Sequence, residues 1–307
     1  MKKTFLLLVL IAMMILAACS MEAPGSESED AGSGSESGGD YKIGFSVSTL
    51  NNPFFVTLSE GAEAKAKELG ATISVVDAQD DAAKQASDVE DLIQQGVDLI
   101  MINPVDSEAV TAAVESANSA DIPVITVDRS AAGGEVVSHI ASDNVAGGEM
   151  AGEYLLELVG DGAQVAELEG VPGASAARER GEGFNKVAAD SLDVVAKQTA
   201  NFDRAEGLTV MENILQGNPD IKGVFAHNDE MALGALEAIE AAGKDITVVG
   251  FDATDDAVKA VEEGRLAGTV AQKPELIGQT AVEAAVKSLD GEEVEASIPV
   301  ELELVKQ

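Results

Sequence analysis

The rhythm of this chain constrains its fold more than any single motif does. Short apolar runs rich in Val and Ile alternate with longer stretches whose apolar residues recur every three or four positions. Residues 42–47 (KIGFSV) read as a buried strand. Asn52 before Pro53 suits a helix N-cap with proline at the first helical position. Phe55, Leu58, Ala62, Ala66 and Leu69 then keep helical spacing, and Gly70 closes the helix. Strand 71–77, helix 83–95, strand 98–102, helix 107–119 and strands 123–127 and 136–140 follow. After Asn144 the rhythm restarts: helix to 159, strand 163–168, helix 178–188, strand 192–197, helix 204–216, strand 222–226, helix 229–242 and strand 246–250. A helix at 255–263, strand 266–271, helix 275–289 and a last strand at 298–305 complete it. Strands alternating with long helices imply parallel sheets covered on both faces. Two rounds imply two doubly wound, Rossmann-like α/β domains, and 307 residues suit about two domains.

The N-terminus carries an address. Lys2 and Lys3 precede a fourteen-residue apolar run, 5–18, which is short for a bilayer span of about 20 residues but right for a signal peptide. It ends Leu16-Ala17-Ala18-Cys19, which resembles the lipobox of bacterial lipoproteins. The expectation is a signal peptide over 1–18, with Cys19 left as a lipid-bearing first residue. Residues 20–40 hold Gly, Ser and six acids with no base, too little apolar surface to order themselves. They are expected to form a disordered tether, so that the body from Tyr41 works at an outer membrane face.

Composition excludes several functions. With 19 Lys plus Arg against 55 Asp plus Glu, the net charge is −36. A nucleic-acid binder needs a basic footprint, so no nucleic-acid partner is expected. The acidity suggests adaptation to a saline exterior, where screening relieves self-repulsion. One Cys and two His argue against a disulfide framework or a Cys/His zinc site, so no metal or cofactor is expected. There is no Walker A string and no GxGxxG after a strand, and His139 and His227 support no catalytic constellation. No catalytic residue is assigned.

In doubly wound folds ligands lie beyond the C-terminal strand ends. Those segments hold Asn52, Phe54 and Phe55; Asn103; Asp128 and Arg129; Arg180; Asn228; Asp252; and Gln272, with Phe202 nearby. Neighbouring helical residues point about 100° apart, so Phe54 and Phe55 cannot both enter the core and one should be exposed or face a cleft. Arg178-Glu179-Arg180-Gly181 is read as opening a helix, where an Arg is electrostatically disfavoured and so suggests a task. The two acids and two arginines cancel. A phosphate or carboxylate ligand would call for excess positive charge. A neutral site dense in donors and acceptors suits a polyol whose hydroxyls both donate and accept, with Phe rings against its C–H faces.

At these residues the chain resembles the periplasmic sugar-binding proteins of ABC importers, and within them the ribose binders. The strings are STLNNPFF (48–55), INPVDS (102–107), VITVDR (124–129), VVSHIASDN (136–144), SAARERGEGF (175–184), FDR (202–204), NDEMALGAL (228–236), VVGFD (248–252) and AQ (271–272). The resemblance implies sugar contacts at Asn52, Phe54, Phe55, Asp128, Arg129, Arg180, Phe202, Asn228, Asp252 and Gln272, with outer contacts at Ser48 and Asn103. It implies one lobe of 41–142 plus 273–300 and another of 143–272 plus 301–307. A three-segment hinge would join them, with the ligand in the cleft between. It further implies a monomer that binds a neutral monosaccharide, D-ribose above allose, galactose or xylose, and delivers it to an ABC permease with its ATPase. A chemotaxis receptor is a further implied partner. His227 departs from the glutamine the family leads one to expect, and is read as a satisfied structural histidine. A LacI-type regulator shares the fold but would carry a basic helix-turn-helix where this chain has its lipobox and acidic tether.

Overall fold

The computed structural model describes residues 40–307. The expected signal peptide, Cys19 and nearly all of the tether lie outside the described residues. Within them, no helix is long and apolar enough to cross a membrane.

The first round comprises β1 (Lys42–Val47), α1 (Pro53–Glu68), β2 (Thr72–Asp77), α2 (Ala82–Gln95), β3 (Leu99–Ile102), α3 (Thr111–Ser119), β4 (Val124–Val127) and β5 (Ser138–Ser142). The second comprises α4 (Asn144–Val159), β6 (Gln164–Glu169), α5 (Ser175–Ser191), β7 (Asp193–Thr199), α6 (Arg204–Gly217), β8 (Gly223–Ala226), α7 (Asp229–Ala241), β9 (Thr247–Asp252), α8 (Asp255–Glu262) and β10 (Gly268–Ala271). The chain then adds α9 (Pro274–Leu289), β11 (Ser297–Val300) and β12 (Glu303–Lys306).

Two six-stranded sheets result, ordered β11-β5-β4-β3-β1-β2 and β12-β10-β9-β8-β6-β7. The alternation of side chains along each strand explains their double winding. Leu99 and Met101 of β3 join Phe45, Leu58 and Ile277 on one face, beneath α1 and α9. Ile100 and Ile102 join Leu92 and Val114 on the other, beneath α2 and α3. In the second sheet Val224 packs with Ile214 and Met231, while its neighbour Phe225 packs with Phe184 and Phe251. Each fully buried side chain of this size contributes roughly 1.5–3 kcal/mol.

Three expectations are corrected. The last strand, expected as one over 298–305, is two. β11 pairs parallel with β5, and β12 pairs antiparallel with β10 in the other sheet. The sheets are therefore not wholly parallel: the chain crosses at Glu301 and Leu302, and β12 enters against the direction of β10. Helix α3 begins at Thr111, not 107, because the Asp106 carboxylate holds a separate turn by accepting from Glu108 N and Ala109 N. Helix α5 begins at Ser175, not 178, so Arg180 stands beyond its first turn and escapes most of the end-dipole penalty.

The chain passes between the sheets three times, after β5, after β10 and between β11 and β12. These crossings form the hinge of a two-lobed α/β molecule. The C-terminal strand ends of both sheets face one cleft.

Candidate functional site

All ten residues expected at the ligand line one cavity, together with Ala176. About 230 Å³ of space between these side chains is free of protein atoms, open solvent included. From the first lobe come Asn52, Phe54 and Phe55 at the start of α1, and Asp128 and Arg129 after β4. From the second come Ala176 and Arg180 on α5, Phe202 after β7, Asn228 before α7, Asp252 at the end of β9 and Gln272 after β10. A larger, open groove of about 1220 Å³ shares only Phe54 and Asp252 with it and contains neither arginine.

Local backbone chemistry aims these side chains. Asn52 caps α1 by accepting from Phe54 N at 2.9 Å, and Asn228 caps α7 by accepting from Met231 N at 3.0 Å. The other end of the Asn228 amide donates to Phe202 O at 3.1 Å. Asp128, Phe202 and Asp252 have φ of 64°, 61° and 119°, conformations that cost about 1–3 kcal/mol each at non-glycine residues and cluster at functional sites. Gly170 leaves room for the Phe202 ring, which a Cβ there would overlap. Phe54 and Phe55 are only 4% and 3% exposed and meet edge to face at 5.1 Å. The expectation that they cannot both enter the core is corrected: both belong to one buried cluster and both also line the cavity, because core and cleft wall are continuous here.

The charged groups are held by neutral partners and rings as much as by each other. Arg129 donates to Pro104 O at 3.2 Å and lies 5.0 Å from the Phe55 centroid and 5.2 Å from that of Phe202, spanning the cleft by cation–π contact. Arg180 Nε donates to Asn144 Oδ1 at 2.9 Å, and NH1 donates to the His227 carbonyl at 2.6 Å. Its guanidinium stacks 3.9 Å above Phe251 and lies 3.6 Å from Asp252 Oδ1. Gln272 Nε2 donates to Asp252 Oδ1 at 2.7 Å.

Burial raises both acids. Asp128 is pushed up by desolvation, against the pull of Arg180 and Arg129. Asp252 is raised well above the usual carboxylate range by desolvation, against Arg180 and with the help of Asp229 and Asp128. Burial likewise lowers Arg129, opposed by Asp128.

Three buried polar atoms of these residues have no hydrogen-bond partner among the described residues: Asp128 Oδ1, Gln272 Oε1 and Arg129 Nε, the last lying 3.8 Å from Asp128 Oδ2. Two accept and one donates. An unmatched buried group of this kind costs about 1–3 kcal/mol, so the site is built to complete its hydrogen bonds with a ligand that offers both.

Ser48 and Asn103, expected as outer contacts, do not line the cavity. Asn103 stands behind Asp128, donating to Asp128 Oδ2 at 3.3 Å and to Val127 O at 3.0 Å, and it accepts from Ser48 N. His227 is buried. Its Nδ1 accepts from Gly170 N at 3.4 Å, so Nε2 carries the proton and donates to Glu167 Oε1 at 2.9 Å. Burial lowers His227. At Glu167 burial acts upward, but His227, Lys197 and Asn185 outweigh it and hold the carboxyl low. Sequence reasoning missed Ala176, whose small side chain carries no signal, and Asn144, which orients Arg180. Among the described residues no group of three or more His, Cys, Asp or Glu is placed to hold a metal.

A periplasmic binding protein domain matches residues 43–293, and the chain belongs to that family. Within it, the chain is 56% identical over 307 residues to the ribose import binding protein of Bacillus subtilis, covering all of both chains. It is 56% identical over 265 residues to the ribose import binding protein of Escherichia coli, covering 86% of this chain and 90% of that one. A solute-binding protein of an ABC transporter from Bacillus halodurans, solved with myo-inositol, superposes with a TM-score of 0.83 at 36% identity, covering 88% of this chain and 95% of that one. A periplasmic solute-binding protein from Actinobacillus succinogenes, solved with D-allose, gives 0.81 at 33%, covering 87% and 97%.

Proposed function

We propose that this protein binds D-ribose outside the cytoplasm and delivers it, unchanged, to an ABC permease driven by its ATPase. The observation that carries the reading is the single cavity in which two acids, two arginines, three amides and three phenylalanines converge. Its charges cancel, which suits a neutral polyol. The ribose-import names of relatives at 56% identity choose ribose over the myo-inositol and allose of structures at 33–36%. Hydrogen bonds to charged groups contribute roughly 1.5–3 kcal/mol each, and several support affinities near about −8 kcal/mol or better.

Residues 41–142 plus 273–300 act as one rigid body and 143–272 plus 301–307 as the other. Sugar touching both favours the closed form through its differential affinity, and the permease reads that form. Presentation to a chemotaxis receptor would use the same closed surface. The protein acts as a monomer tethered to the outer face of the membrane by lipid on Cys19, and its acidity suits a saline exterior. Labelled palmitate should enter the wild type and not Cys19→Ala; equal labelling would contradict the anchor. Equilibrium dialysis with labelled ribose should retain the sugar and return it chemically intact. A phosphorylated or oxidised product would contradict a pure carrier.

A further inference from the structure

The two lobes also touch each other directly, protein atom to protein atom. The crossings all use strands at one edge of each sheet, β5 and β11 in the first and β10 and β12 in the second. β3 and β6 lie further across, and the loops after them meet on the far side of the cleft. There Ser107 N of the first lobe donates to Gly173 O of the second at 3.0 Å. Beside it Ser130 N donates to Ser175 Oγ at 2.9 Å. The Gly173 carbonyl is aimed by its own lobe, since Arg178 NH1 also donates to it at 2.9 Å. None of these residues lines the cavity.

A side chain at position 173 would meet an obstacle that lies across the cleft. Asp106 is pinned by the two N–H groups its Oδ1 accepts from, and its other oxygen sits against Gly173 so closely that a Cβ there would overlap the carboxylate. The backbone at 173 is not in the left-handed region, so alanine is conformationally acceptable in the isolated lobe. The three atoms such a Cβ would meet first all belong to Asp106 of the other lobe.

We propose that Asp106, Ser107 and Ser130 against Gly173 and Ser175, with Arg178 as the positioning residue, form a sugar-independent latch that sets the free energy of closure. This rests on the cleft-closing function above. A latch of this kind multiplies the affinity for every sugar by one factor and leaves the preference between sugars alone, because apparent affinity scales with the fraction of closure-competent protein.

The test is a double-substitution cycle, Gly173→Ala and Asp106→Ala, read by calorimetric titration. The panel is ribose, allose, galactose and myo-inositol. Gly173→Ala should weaken the tightest-binding sugar by about tenfold or more, keep the ratio between sugars, and leave the ligand-free melting temperature within about 2 °C of wild type. In the Asp106→Ala background the same substitution should cost under about threefold, because the carboxylate is gone and only the Cβ at position 106, at 3.1 Å, remains in contact. The latch is overturned if Gly173→Ala binds within about twofold of wild type, or loses as much in both backgrounds. It is also overturned by a changed sugar ratio, or by a ligand-free melting temperature lowered by more than about 5 °C, which would make the glycine part of the lobe's own fold. A sugar other than ribose winning the panel corrects the ligand and leaves the cycle readable.

Discussion

Arg180 joins the two roles that a site residue can have. Its NH1 bond to the His227 carbonyl and its stacking on Phe251 fix it to the second lobe, while the same group faces Asp252 and Phe202. Arg180→Ala should leave the fold intact and cost about 2–4 kcal/mol of ribose affinity, because it removes charged hydrogen bonds and leaves Asp252 without its cation. A calorimetric loss under about 0.5 kcal/mol would remove Arg180 from the site. Behind Asp252, Asp229 is wholly buried and accepts from Thr254 N, Thr254 Oγ1 and Thr269 Oγ1, with burial pushing its carboxyl up to about 7. Its folded value lies above the unfolded one, so its contribution to stability is complete below about pH 4 and is lost as pH rises towards 7. His227, lowered by burial, acts in the opposite sense, destabilising the native state as pH falls through about 6.5. Asp229→Asn can still accept from Thr254 and can donate to Thr269. Its melting temperature should therefore vary less than wild type between about pH 4 and 7, and parallel curves would contradict the assignment. Most polar lining residues were legible because they follow a strand end with a functional group that needs a partner; Arg180, on α5, was singled out by its charge near a helix start. Ala176 was not, and the place of Asn103 behind Asp128 depends on a side-chain packing that no string reveals.

Helices α4 and α5 carry Arg180 to its place by touching backbone to backbone. A Cβ at Gly148 would overlap the Arg180 carbonyl, and one at Gly183 the Val145 carbonyl. This approach also brings Asn144, at the start of α4, within reach of Arg180 Nε. Gly183→Ala should separate the pair and destabilise the protein by about 1–3 kcal/mol, with a parallel loss of ribose affinity. An unchanged denaturation midpoint would contradict this packing. Most elements were readable from apolar spacing because each buries a face of its own sheet. The exceptions have local causes. Ala174 caps α5 without a side-chain hydrogen bond, so nothing in Ser175-Ala176-Ala177 announced the helix start. The apolar alternation of the last strand runs on through Glu301 and Leu302, and only its partners, His139 to Ser142 and then Gly268 to Ala271, show that it changes sheets.

At the scale of the whole molecule, a net charge of −36 coexists with a ligand cavity whose formal charges sum to zero. The acidity therefore belongs to the rest of the molecule, where like charges repel and weaken the compact state. At about 1 M salt the screening length falls to about 3 Å, so the melting temperature should rise from low to molar NaCl while ribose affinity changes little. A flat or falling melting curve would count against adaptation to saline surroundings. The central claim is that the cavity between the lobes is shaped for ribose. Calorimetric titration of the wild type with ribose, glucose, galactose and allose tests it most directly. Ribose should bind about tenfold tighter than any of the others, a difference of about 1.4 kcal/mol. Equal or tighter binding of another sugar would contradict it.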